Sequence, residues 1–146
     1  MQTKWMELAL LEAKKAQIKN EVPVGAVIVF NDQPIASSHN QTISQKNACA
    51  HAEILCIVEA CKLLGNHRLN HTEIYITLEP CIMCYGAIAQ ARIPKVYFGA
   101  YDKRTGVFST EKLSSYLNIN HHPQHQGGVL DSESISLLTT FFQDKR

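Results

Sequence analysis

The chain has 146 residues, 45% hydrophobic and 18% charged, with a formal net charge of +1. That balance fits one ordinary domain, residues 1–146, and excludes a disordered chain. It also excludes a molecule drawn to nucleic acid by its overall charge, so any RNA-binding surface has to be a local patch. Met1-Gln2-Thr3-Lys4-Trp5 lacks the basic-then-apolar pattern of an export signal, and no apolar run is long enough to cross a bilayer. The expected location is the cytoplasm. The five cysteines, Cys49, Cys56, Cys61, Cys81 and Cys84, are an odd number, and without an export signal they favour metal binding or catalysis over a disulfide framework.

In chain order, Lys4–Asn20 reads as an amphipathic helix with Leu8, Leu11, Lys15 and Ile18 spaced three or four apart. Val22-Pro23-Val24 stops it. Val24–Phe30 is nearly all apolar and reads as a strand buried on both faces. Asn31-Asp32-Gln33 is a turn, and Pro34–Asn40 completes a hairpin. Gln41–Asn47 is a polar loop. Ala50–Leu64 reads as a helix with Ile54, Ile57, Val58, Cys61 and Leu64 on its core stripe, ended by Gly65-Asn66.

Glu73–Leu78 alternates and is rich in β-branched residues, so it reads as a third strand. A helix follows through Ile82, Ala87, Ile88 and Ala91, with Pro80 at its first position. Ile93–Gly99 is a fourth strand. Ala100–Gly106 is a polar loop, Val107–Leu117 is compatible with a short helix, and His121–Gly128 is a loop. Val129-Leu130 is the candidate fifth strand. Asp131 or Ser132 caps a last helix through Ile135, Leu138, Thr139 and Phe142. Strands alternating with helices give an α/β layered domain.

The chemistry concentrates in two short stretches. In Pro80-Cys81-Ile82-Met83-Cys84 the two sulfurs, three residues apart at a helix start, share one face of its first turn. The positive pole of the helix dipole favours thiolate there, and paired thiolates suit zinc. A redox pair or two core cysteines have the same spacing.

The second stretch is His51-Ala52-Glu53. Residues two apart on a helix point about 200° away from each other. The pair serves one site only if His51 lies just before the helix, in non-helical backbone, and Glu53 in the first turn. His51, Cys81 and Cys84 together are three ligands of the kind that hold catalytic zinc, with a water at the fourth position. Glu53 is then a ready general acid/base. A structural zinc would need a fourth protein ligand, from among His39, Cys49, His67 and His71. His121, His122 and His125 form a second histidine-rich tract, either metal-binding or a solvated loop. Lys103, Arg104, Lys112, Lys145 and Arg146 are either phosphate contacts or solvated surface charge. Cys56 and Cys61 read as core residues.

H-x-E followed by P-C-x-x-C resembles the signature of zinc deaminases, in which the glutamate is not a ligand. The likeness extends to Val22–Val27, Ala50–Ile54, Thr77–Cys84, Ala91–Ala100, Asp102 and Thr105-Gly106. Over nearly the whole chain the sequence resembles the bacterial tRNA adenosine deaminases of the cytidine/deoxycytidylate deaminase superfamily. It departs from them at Asn47-Ala48-Cys49 and at Val107–Thr110.

The resemblance implies a three-layer α/β/α cytidine-deaminase-like fold with a mixed five-stranded sheet, and a homodimer. It implies conversion of adenosine to inosine at the wobble position of a tRNA anticodon stem-loop, by zinc-activated water with Glu53 as proton shuttle. His51, Cys81 and Cys84 would hold one zinc ion, and Asn40 would contact substrate. Lys103, Arg104, Lys145 and Arg146 are the candidate RNA contacts. Two alternatives are a guanine, cytosine or nucleoside deaminase of the same superfamily, and a non-catalytic zinc-stabilised RNA-binding module. A third is a thiol redox protein.

Overall fold

The structure is a computed structural model describing residues 2–110 and 113–145. Its elements are α1 (Gln2–Ile18), β1 (Gly25–Phe30), β2 (Gln33–His39), α2 (Ala52–Leu64), β3 (Thr72–Leu78), α3 (Ile82–Ala91), β4 (Lys95–Ala100), α4 (Leu113–Tyr116), β5 (Gln124–Gln126) and α5 (Asp131–Gln143). The five strands form one mixed sheet in the order β2-β1-β3-β4-β5. β1 runs antiparallel to both β2 and β3, while β3, β4 and β5 are parallel. This is the expected three-layer architecture. No helix among the described residues is long and apolar enough to cross a membrane.

Strand alternation divides the core in two. Ala26, Ile28, Ile74, Ile76, Val96 and Phe98 face α2 and α3. Val27, Val29, Tyr75 and Tyr97 face α1, where Trp5, Met6, Ala9 and Leu10 cover them. Tyr75 and Tyr97 stack with ring centroids 4.8 Å apart.

The buried helix faces differ from the stripes expected of the large apolar residues. α1 buries Trp5, Met6, Ala9, Leu10, Ala13 and Ala16, while Leu11 and Ile18 stand in solvent. A Cβ on Gly25 would collide with the backbone of α1 at Ala9 and Ala13. Helix and strand therefore meet backbone to backbone at Ala9 and Ala13, with buried Glu12 alongside. α2 turns Ala52, Cys56 and Ala60 fully inward; of its expected stripe, Ile57, Cys61 and Leu64 pack partly buried against the core, while Val58 is exposed. α5 buries Ser134 and Phe141 rather than Ile135 and Phe142.

Three other expectations are corrected. α3 has Cys81 as its N-cap, so Pro80 precedes the cap instead of occupying the first helical position. The fifth strand is Gln124–Gln126, not Val129-Leu130. The amides of Gly128 and Val129 still bond to Gly99 and Phe98 of β4, but Leu130 then turns into the left-handed region at φ 52° to lead into α5. That turn, with no side-chain cap bond, replaces the expected Asp131 or Ser132 cap.

Candidate active site

Strand direction brings the chemistry to one edge of the sheet. β2, β3 and β4 all point the same way, because β1 is antiparallel to both β2 and β3. Their carboxyl ends therefore deliver Asn40, the start of α3, and the loop after Ala100 to a common rim.

His51 and Cys81 are both helix N-caps with extended backbone, at φ −72°, ψ 153° and φ −78°, ψ 174°. The extended cap resolves the angular problem of His51 and Glu53: the histidine precedes the helix and the glutamate sits in its first turn. His51 Nδ1 lies 3.8 Å from Cys81 Sγ and 3.6 Å from Cys84 Sγ. One donor atom from each of the three residues falls within a 4.8 Å group. Tetrahedral zinc with ordinary Zn–S and Zn–N lengths separates a sulfur from a nitrogen by about 3.6 Å. The donor set thus fits zinc in both chemistry and spacing.

None of His39, Cys49, His67 and His71 joins this cluster among the described residues. His39 Nδ1 is 3.0 Å from Glu12 Oε1, and His67 accepts from Arg68. All five cysteines are free. The second histidine tract is tied up in packing: His121 meets the Ile93 carbonyl, His122 the Tyr85 hydroxyl, and His125 stacks on Phe108.

The electrostatics favour an anionic Cys81. The Cys84 thiol, donating to Cys81, pulls the Cys81 thiol down to about 4; burial opposes and His51 assists. The same bond pushes Cys84 up, and bonding to Cys81 raises His51. Glu53, 4% exposed, is pushed up to about 7, by burial first and by Cys81 second; its own backbone N–H and His51 oppose the shift.

His51, Glu53 and Cys81 line a cavity of about 240 Å³ whose wall also includes Val22, Asn40, Leu78, Glu79, Asp102 and Thr105. Asn40 is buried; its amide nitrogen donates to the Val22 carbonyl at 3.4 Å, and its Oδ1 has no protein partner. Lys103 and Arg104 are exposed on an adjoining groove shared with Tyr101, Leu138 and Phe142. Lys145 instead reaches the side chain of Asn20 and the face of Phe141. Lys112 and Arg146 lie outside the described residues. Nothing in their own sequence surroundings assigns Glu79 or Tyr101 to this site, although Glu79 directly precedes the cysteine motif, and Phe142 reads only as part of the last helix.

Residues 1–100 match the family described as the cytidine and deoxycytidylate deaminase zinc-binding region. The chain belongs to this family. Among curated relatives of this deaminase, the tRNA-specific adenosine deaminase of Bacillus subtilis is 45% identical over 143 residues, covering 97% of this chain and 89% of the relative. That of Agrobacterium fabrum is 45% identical over 145 residues, covering 99% and 95%. A solved structure from work on A-to-I editing by tRNA:A34 deaminases superposes with a TM-score of 0.90 at 44% identity, covering 93% of this chain and 99% of the other. A guanine deaminase from Nitrosomonas europaea, 20% identical with a TM-score of 0.81, shares the fold.

Proposed function

We propose that this deaminase, acting as a single domain, converts adenosine to inosine at the wobble position of a tRNA anticodon loop, in the cytoplasm. One observation carries the reading. A cavity of about 240 Å³ is lined by His51, Cys81 and Glu53, with Cys84 buried behind it in the same ligand group, and opens beside a groove with aromatic and cationic walls. Cavities for drug-sized ligands run from about 300 Å³ upward, so this one suits a single splayed base. Tyr101 and Phe142, about half exposed, offer faces on which neighbouring bases stack; Lys103 and Arg104 offer charge for the backbone. The 45% identity to tRNA-specific adenosine deaminases supports the same reading.

His51, Cys81 and Cys84 would hold zinc. Zinc so held supplies the activation of water for attack on the base. Glu53, in the first turn of α2 and buried at the base of the cavity, holds the proton that water gives up and passes it to the ring. Asn40, with its orphaned Oδ1, is the buried polar group available to orient substrate. Val58 on α2 and Ile82 on α3 are about half exposed, and the apolar surface they present to water supports a homodimer.

The test offers purified protein five substrates: a hairpin with adenosine at the wobble position, the same hairpin with cytidine there, and free adenosine, guanine and cytosine. Inosine in the first hairpin is the expected product. Efficient turnover of guanine or cytosine with an inert adenosine hairpin would reassign the site to free bases. Tight hairpin binding without turnover would favour a zinc-stabilised binding module.

A further inference from the structure

Glu79 closes the third strand and is 3% exposed. Its Oε1 accepts from the Asp102 amide at 2.8 Å and the Ser109 hydroxyl at 2.5 Å. Its Oε2 accepts from the amides of Phe108 and Ser109 at 2.8 and 2.7 Å. All four donors belong to the two ends of one loop, residues 102–109. A carboxylate has about four acceptor positions on its two oxygens, and here each has a donor. Such charge-assisted bonds are the stronger kind, and they compensate the burial of the charge.

The loop is shaped around this carboxylate. A Cβ on Gly106 would collide with the Glu79 carboxyl group and the Asp102 carbonyl. Gly106 N–H donates to the Asp102 carbonyl at 2.8 Å, and Val107 N–H to the Pro80 carbonyl at 3.0 Å. Asp102 in turn accepts from the Arg104 and Thr105 amides at 3.0 and 3.1 Å. At the far end Phe108 stacks between His125 and Phe98. Asp102 and Thr105 thereby stand on the cavity wall, and Lys103 and Arg104 on the adjoining groove.

We propose that Glu79 is a positioning residue: its carboxylate fixes the loop 102–109 as the substrate-facing wall of the cavity. The inference rests on reading that cavity as the base-binding site. Glu79 acts through Asp102 and Thr105, while the metal ligands and Glu53 come from α2, α3 and their caps. A carboxylate is required because an amide fails in either orientation. Its NH2 becomes a donor facing a backbone N–H, that of Asp102 in one orientation or those of Phe108 and Ser109 in the other; only the Ser109 hydroxyl can turn to accept.

Two variants test this, Glu79→Gln and Gly106→Ala; the second forces the loop off the carboxylate without altering it. Both are expected to keep zinc, to raise KM for the adenosine hairpin about tenfold and to hold kcat within about threefold. Amide hydrogen exchange in the segment holding Phe108 and Ser109 should accelerate at least about tenfold in both, because the carboxylate bonds are what protect it. If Glu79→Gln does not fold, Gly106→Ala carries the test. Wild-type exchange and wild-type KM overturn the proposal, as does loss of zinc or of kcat at unchanged KM. Exchange needs no substrate, so a wild-type protein inert on the hairpin would sink the functional reading while exchange still decides the role of Glu79.

Discussion

His51 Nδ1 and Cys84 Sγ lie 3.6 Å apart although 33 residues separate them. The two side chains meet because α2 and α3 begin side by side at one edge of the sheet. Each helix start contributes an extended N-cap, His51 or Cys81, aimed at the other. The site is therefore a property of two helix starts held in register by the sheet.

Cys81→Ala and Cys84→Ala should each lose zinc, measured by elemental analysis of purified protein. Loss of a mere outer-shell partner costs metal sites about 10–100-fold in affinity, so loss of a ligand should cost more. Thermal stability should drop with the metal, because binding is coupled to folding. Full zinc retention in both variants would remove the cysteines from the ligand set.

Glu53→Gln should keep zinc and hairpin binding while turnover falls by about 10²–10⁴-fold, the usual worth of a general acid/base. Burial already pushes the native carboxyl up to about 7, so a neutral amide of the same size costs little stability. Single-turnover kinetics with a binding isotherm separates the two effects. Near-wild-type turnover would move the proton shuttle elsewhere.

Lys103→Ala combined with Arg104→Ala should weaken hairpin binding and flatten its salt dependence by about 0.7 in log–log slope for each phosphate no longer neutralised. Both side chains are exposed on the groove and neither belongs to the His51, Cys81, Cys84 group, so zinc content should not change. An unaltered slope would assign them to solvated surface.

Val58→Asp places a charge on the apolar outer face of α2, where the native side chain is 47% exposed. Sedimentation should show a dimer for the wild type and at least about tenfold weaker association for the variant, an ordinary effect for a central interface residue. A monomeric wild type would remove the dimer.

Glu21 predicts an acid sensitivity unrelated to catalysis. Its buried carboxylate accepts from the Ile43 and Ser44 amides at 3.1 and 2.7 Å. Burial pushes the group up, but these bonds outweigh it and hold the carboxyl below its ordinary 4.5. A group depressed in the folded state stabilises the fold fully above its unfolded pKa. That contribution is lost as pH falls from about 4.5 through the folded value. Glu21→Gln should cost about 1–3 kcal/mol at neutral pH and remove this part of the acid slope. Denaturant titrations at several pH values below 6 read both, and identical slopes for the two proteins would exclude Glu21.

What depends on residue type at short range is legible in the sequence. His51, Glu53, Cys81 and Cys84 stand out because metal and proton chemistry demand those side chains at those spacings. β1 stands out because a strand buried on both faces is nearly all apolar, and β3 because it alternates and is rich in β-branched residues. β5 was not legible, because Gln124–Gln126 is an exposed edge strand recruited only by its register with β4. Which helix face is buried was decided by packing: α1 meets β1 at Gly25 through Ala9 and Ala13, which turns Trp5, Met6 and Leu10 onto the sheet and leaves Leu11 and Ile18 in water. Glu79 was equally silent. Its four donors come from residues 23 to 30 positions further along, and only the fold of that loop brings them onto one carboxylate.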